Sequence, residues 1–173
     1  MKTLLLVILA ASLAFMGCSS NEPAAPQSDQ LNFDILGNDA PESYDAAMNE
    51  LTELGVTVPD PISDANLREL SSINLDADIA IIEAAPLDEG ERPNFRRIIQ
   101  HLHEQFRLLQ RCIENSDNRE LRRVAYGAHL AFRYGLRAFE AGDYRLALRA
   151  FHRANRLLNL AHRICRADGG GRG

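Results

Sequence analysis

The clearest pattern in this chain is a 4-3-4-3-4 spacing of apolar and small residues that occurs three times after Pro93. It runs through Phe95, Ile99, Leu102, Phe106, Leu109 and Ile113, then through Leu121, Ala125, Ala128, Phe132, Gly135 and Phe139. It returns in Ala147, Phe151, Ala154, Leu158, Ala161 and Cys165. Residues at this spacing share one helix face, so each run predicts an amphipathic helix with one buried stripe. Asn115-Ser116-Asp117 breaks the first run, and Asp117 with Glu120 makes a capping-box-like start for the second. Gly142 stops the second helix and Asp143 can cap the third. Short connections place consecutive helices antiparallel, so residues 91–167 are expected to form an antiparallel three-helix bundle with coiled-coil-like packing.

Upstream the pattern is fainter. Residues 41–55 predict a short helix with Pro41 near its start, Gly55 as its stop, and Tyr44, Ala47, Met48, Leu51 and Leu54 on one face. Pro59 and Pro61 require an extended stretch, and two further short helices are expected at 64–71 and 76–85, the latter ended by Pro86. Residues 18–40 read as a flexible tether, 41–90 as an acidic segment with short helices, and 168–173 as a disordered tail. The fold class is therefore all-α, a flexible acidic N-terminal segment followed by the bundle.

Charge sharpens this division. The net charge of −5 combines two opposed halves. From Ser19 to Gly90, sixteen acidic residues stand against one base, Arg68; from Glu91 to Gly173, seventeen arginines and no lysine stand against eight acids. Such segregation bears on partners rather than on fold. Arginine forks bind carboxylates and phosphates in a bidentate way that lysine cannot, although GC-rich codons explain the missing lysine equally well.

At the N-terminus a single cation, Lys2, precedes a thirteen-residue apolar run from Leu4 to Met16 that closes on Gly17-Cys18 and the polar Ser19-Ser20-Asn21. The run is too short to span a membrane, which takes roughly 20 residues. It resembles the signal peptide and lipobox of bacterial lipoproteins. The resemblance implies cleavage before Cys18, acylation of Cys18, and a mature protein held to the membrane of the bacterial cell envelope by its lipid. With Ser19 after the cysteine, that is the outer membrane of a Gram-negative host, facing the periplasm or the surface. Cleavage after Ala14 is the other reading, and it leaves Cys18 a free thiol. A second resemblance lies at 131–159. Gly135, Gly142-Asp143-Tyr144, Ala147, Phe151 and Ala154 are similar to the small and aromatic positions of one tetratricopeptide repeat, whereas Ala131, Ala138 and Asn159 depart from it.

Three constellations could carry chemistry. Cys112 and Cys165 fall near the ends of the first and third helices, which run parallel, so a disulfide closing that end of the bundle is expected; two buried thiols are the alternative. His101, His103, His129 and His152 fall at similar heights on the three helices. His103, His129 and His152 give an alternative reading as a metal-binding envelope protein, against the plainer one of surface histidines. No helix carries a His-x-x-x-His pair, and the acidic runs Asp76-Ala77-Asp78 and Asp88-Glu89-Gly90-Glu91 lack the ligand alternation of a calcium loop. Finally, Arg145, Arg149, Arg153, Arg156 and Arg163 line one side of the third helix, and Arg122, Arg123, Arg133 and Arg137 serve the second.

Like charges this dense repel one another and invite an anion. Export disfavours nucleic acid, leaving an acidic protein, an envelope polyanion, or the chain's own acidic segment docking through Asp and Glu between residues 39 and 89. No nucleophile, glycine-rich phosphate loop or paired acid/base motif marks an enzyme, and no cofactor is implied. The expectation is a non-catalytic interaction or scaffold module with a basic helical face.

Overall fold

The computed structural model describes residues 37–169, and all their regular structure is helical. The helices are α1 (Tyr44–Glu53), α2 (Asp64–Ser71), α3 (Leu75–Ala84), α4 (Glu91–Asn115), α5 (Arg119–Glu140) and α6 (Tyr144–Ala167). The signal-like run, Cys18 and most of the expected tether lie outside the described residues.

Local chemistry sets the boundaries. Ser43, Ser63 and Asn74 cap the three short helices by accepting from a backbone N–H three residues on, and the Ser63–Asn66 pair forms a reciprocal capping box. At α5 the sequence expectation is corrected: the cap is Asn118, which accepts from Leu121 N, while Asp117 pairs with Arg122 at 3.1 Å. Asp143 caps α6 as expected. Gly142 has φ +80°, a backbone conformation that an L-residue adopts only under strain, so glycine fits the tight α5–α6 corner.

The long helices form a bundle-like arrangement. α5 and α6 share the most extensive contact, and α4 lies against α6 and, almost as extensively, against α3. Parallel alignment of α4 with α6 shows in the register: Phe95 meets Tyr144 and Phe151, His101 meets Asn155, and Cys112 meets Cys165. Every position of the three stripes is buried except Cys165, which is partly exposed and disulfide-bonded. Gly135 is the tightest point, because a Cβ there would stand 2.6 Å from Phe151 Cε1 and 3.3 Å from Ala147 O. Exposed helical Gly→Ala changes stabilise by up to about 1 kcal/mol. Gly135→Ala is instead expected to destabilise by about 2 kcal/mol, since a ring and a backbone must both move; chemical denaturation measures it.

α5 has a second buried face. Val124, Gly127, Ala131 and Ala138 lie off its first stripe yet are buried, and α1, α2 and α3 all pack against this helix. Leu51 of α1 sits so close to Gly127 that a Cβ there would stand 2.5 Å from its Cδ1. Leu51, Leu70, Ile82 and Leu87 join the same hydrophobic core as the long helices. The acidic residues 41–90 are thus not set apart from the arginine-rich helices, and the described residues 37–169 belong to one compact unit. Residues 37–41, expected to belong to or border the tether, are tied to α6. The Asn155 and Asn159 side chains donate to Gly37 O at 3.0 and 3.1 Å, Asn159 also donates to Asp39 O at 2.8 Å, and Pro41 is buried.

Candidate functional site

The arginine-bearing sides of α5 and α6 receive the acidic segment residue by residue. Arg156 donates through Nε and Nη2 to Glu50 of α1, the Nη2–Oε1 distance being 2.9 Å, and its Nη1 stands 3.6 Å from Asp39. One turn earlier Arg153 reaches Glu53 at 2.8 Å and also donates to the Glu50 carbonyl. On α5, Arg119 and Arg123 both donate to Asp60 in the loop between α1 and α2, at 3.0 and 2.9 Å. These two guanidiniums, with the Arg119 hydrogen bond first, hold the Asp60 carboxyl below its ordinary range. The spacing explains the selection: α1 lies across α5 and α6, so arginines that face it are covered, while those further round the helices are exposed.

The sequence-identified arginines therefore divide. Arg153 and Arg156 are half-buried under α1, and Arg122 turns back to Asp117 and the Ser116 carbonyl. Arg133 stands 3.6 Å from Asp78 of α3. Arg137, Arg145, Arg149 and Arg163 are exposed, and Arg163 reaches the Asn38 carbonyl at 3.5 Å. Arg133 and Arg137 wall a cleft of about 440 Å³ with Glu69, Asp78 and His129, in which both charge signs are present.

The histidines do not converge. His103 Nε2 donates to Asp78 Oδ2 at 2.8 Å, His129 stacks on Tyr126 at 5.8 Å, and His152 is partly buried beside Arg156. Among the described residues no group of three or more His, Cys, Asp or Glu is placed to hold a metal ion. The surface-histidine reading is corrected too. His129 is only 7% exposed and the His103 side chain 10%, because α2 and α3 cover the face that periodicity left open.

Burial, and secondarily Arg133, lowers the His129 pKa from 6.5 to about 4. A depressed histidine binds fewer protons folded than unfolded, so its contribution is intact above pH 6.5 and is lost as pH falls toward 4. The shift corresponds to about 3 kcal/mol at the acid end. Wild type is expected to lose that much more stability than His129→Gln between pH 7 and pH 4, measured by urea unfolding at each pH; parallel profiles would remove the assignment.

Cys112 and Cys165 form a disulfide with an S–S distance of 2.08 Å and Cα atoms 6.2 Å apart, so the buried-thiol alternative does not apply. Sequence reasoning missed Asn155 and Asn159, and read Asp78 only as one acid of the segment, not as the partner of His103. Their signal was only a polar residue at a position that a neighbouring helix later buries. No described helix is long and apolar enough to cross a membrane. No family model, curated protein or solved structure matches this chain.

Proposed function

We propose that this chain is a lipid-anchored protein of the bacterial envelope, attached through Cys18, that acts as a non-catalytic interaction or scaffold module through the arginine face of an antiparallel three-helix unit, α4–α6. The reading takes the anchor from the lipobox-like Gly17-Cys18 and the interaction from the arginines. The observation that supports it is the pairing of Arg119, Arg123, Arg153 and Arg156 with Asp60, Glu53 and Glu50 of the chain's own acidic segment.

The acidic segment occupies part of the face, and the exposed Arg137, Arg149 and Arg163 remain for an acidic protein or an envelope polyanion. Because α1 also contributes Leu51 to the core, the segment is a fixed cover rather than a detachable one. Regulation then acts through charge competition at the rim.

The test uses polyglutamate as the acidic probe. Replacing Glu50, Glu53 and Asp60 by their amides removes the internal anions while leaving the apolar contacts of α1. We expect this variant to bind polyglutamate about tenfold more tightly than wild type at low salt, with the difference vanishing at high salt, where screening is complete within a few ångströms. Equal affinities at low salt would overturn the reading. The anchor is checked separately by mass spectrometry of the mature N-terminus, where acyl mass on Cys18 is expected and Cys18→Ser removes it.

A further inference from the structure

Where α4 and α6 run side by side toward the disulfide, they enclose a cleft of about 560 Å³ with no carboxylate among its lining residues. That composition is unusual in a chain of net charge −5, in which much of the arginine face is matched by acids. Arg163 and Arg166, three residues apart on α6, supply two exposed guanidiniums to one wall. His162 lies beside them, and its Nε2 is buried without a hydrogen-bond partner. The opposite wall comes from His101 and Gln105 of α4, and the exposed Leu108 gives the rim one apolar patch.

Several of these groups are already fixed. His101 Nε2 donates to Asn155 Oδ1 at 3.0 Å, and Asn159 is held by the Gly37 and Asp39 carbonyls. The cleft is thus braced from α4, α6 and the 37–41 strap, which Arg163 also touches at the Asn38 carbonyl, 3.5 Å from its Nη2. What remains toward the cleft is the rest of the Arg163 fork, the Arg166 guanidinium and one imidazole nitrogen. A helix C-terminus attracts a cation or two in its last turn, which accounts for Arg166. It does not account for a walled cleft that also excludes every acid and orphans a histidine nitrogen.

We propose that this cleft binds a phosphate group, carried by a small soluble molecule or by a lipid headgroup. A carboxylate is satisfied by one arginine fork, whereas a phosphate dianion presents three acceptor oxygens that two forks and an imidazolium can share. The volume exceeds that of the bare anion, and Leu108 suits an apolar or sugar-like portion of the carrier. The inference goes beyond the acidic-partner reading, because its residues, apart from Arg163, belong to neither the covered nor the exposed part of that face.

The experiment titrates the full chain, in neutral detergent, with inorganic phosphate, inorganic pyrophosphate and dihexanoylphosphatidylglycerol, by calorimetry. Saturable binding of at least one probe is expected, weakened about tenfold or more in the Arg163→Gln/Arg166→Gln variant and unchanged in Arg97→Gln, an exposed α4 position outside the cleft. Preference for pyrophosphate identifies a soluble phosphate carrier, and preference for the short-chain lipid identifies a headgroup.

The His162 ring gives an independent reading by NMR. Burial holds its pKa below 6.5, opposed by its hydrogen bond to the Gln105 backbone. Its other charged or titratable neighbours in the cleft are His101 from α4 and Arg163 and Arg166 from α6. A bound phosphate favours the imidazolium, so the midpoint is expected to rise on saturation. No saturable binding of any probe, or equal affinity in the double variant, overturns the proposal. The polyglutamate experiment is unaffected by either result.

Discussion

Replacing Cys112 and Cys165 together by alanine is expected to lower the unfolding free energy by about 4 kcal/mol. The estimate follows from chain entropy: the bond closes a loop with a sequence separation of 53, and the unfolded chain regains that freedom when it is cut. The location raises its value to the fold. Of the other two long helices α4 leans chiefly on α6, from which α5 separates it in sequence, and the disulfide ties their C-terminal ends. Leu109 and Ile113 on α4 and Ala161 on α6, each within about one helical turn of a bridged cysteine, are buried, so the crosslink also limits fraying of that core. In a chain of this size the loss corresponds to a fall in Tm of roughly 8–16 °C. Wild type melted in a reductant should match the double alanine variant, because both lack the same constraint. Oxidised and reduced protein melting within about 2 °C of each other would show that the bond contributes nothing.

The long helices were legible in the sequence because their core stripes are self-contained. Each residue from Phe95 to Cys165 in the three runs sits on a face defined by its own helix, and burial follows that face. α2 at 64–71 was legible for a similar local reason, since Ser63 and Asn66 cap it without help from elsewhere. What pattern reading could not supply was the second layer. Val124, Gly127, Ala131 and Ala138 trace a second small-residue stripe on α5, but small residues mark a buried face only when a partner is known to cover it. That partner is the acidic segment, whose apolar residues are divided among three short helices and the loops between them.

The site was legible only in part. Opposite charge suggested a meeting of acids in 39–89 with the arginines, and Glu50, Glu53, Asp60 and Asp78 stand against Arg156, Arg153, Arg123 and Arg133. It could not foretell that α1 would be pinned there by Leu51 against Gly127, because that depends on shape, not charge. The histidines failed for the converse reason. Their heights along the helices were computable, but their surroundings were set by α2 and α3, so His103 meets Asp78.

Asp78→Ala is expected to destabilise the protein by about 3 kcal/mol, the lower end of what breaking a buried ion pair costs. Asp78 is 2% exposed, at the first turn of α3, where the N-terminal end of the helix also favours a negative charge. Its Oδ2 accepts from His103 of α4 at 2.8 Å, and its Oδ1 stands 3.6 Å from Arg133 of α5. One carboxylate thereby joins three helices, and its loss leaves the His103 N–H buried without an acceptor, a penalty larger than the net gain from most hydrogen bonds. The estimate stays at the lower end because half of the Arg133 side chain is exposed and water replaces its contact. Asp78→Asn separates the two roles: its carbonyl oxygen still accepts from His103, so it should cost about half as much as alanine. A double-mutant cycle with His103→Phe completes the argument, since the alanine penalty should shrink by at least 1 kcal/mol, roughly, when no imidazole remains to be stranded. A penalty that is the same in both backgrounds would mean that Asp78 stabilises α3 through its helix terminus alone.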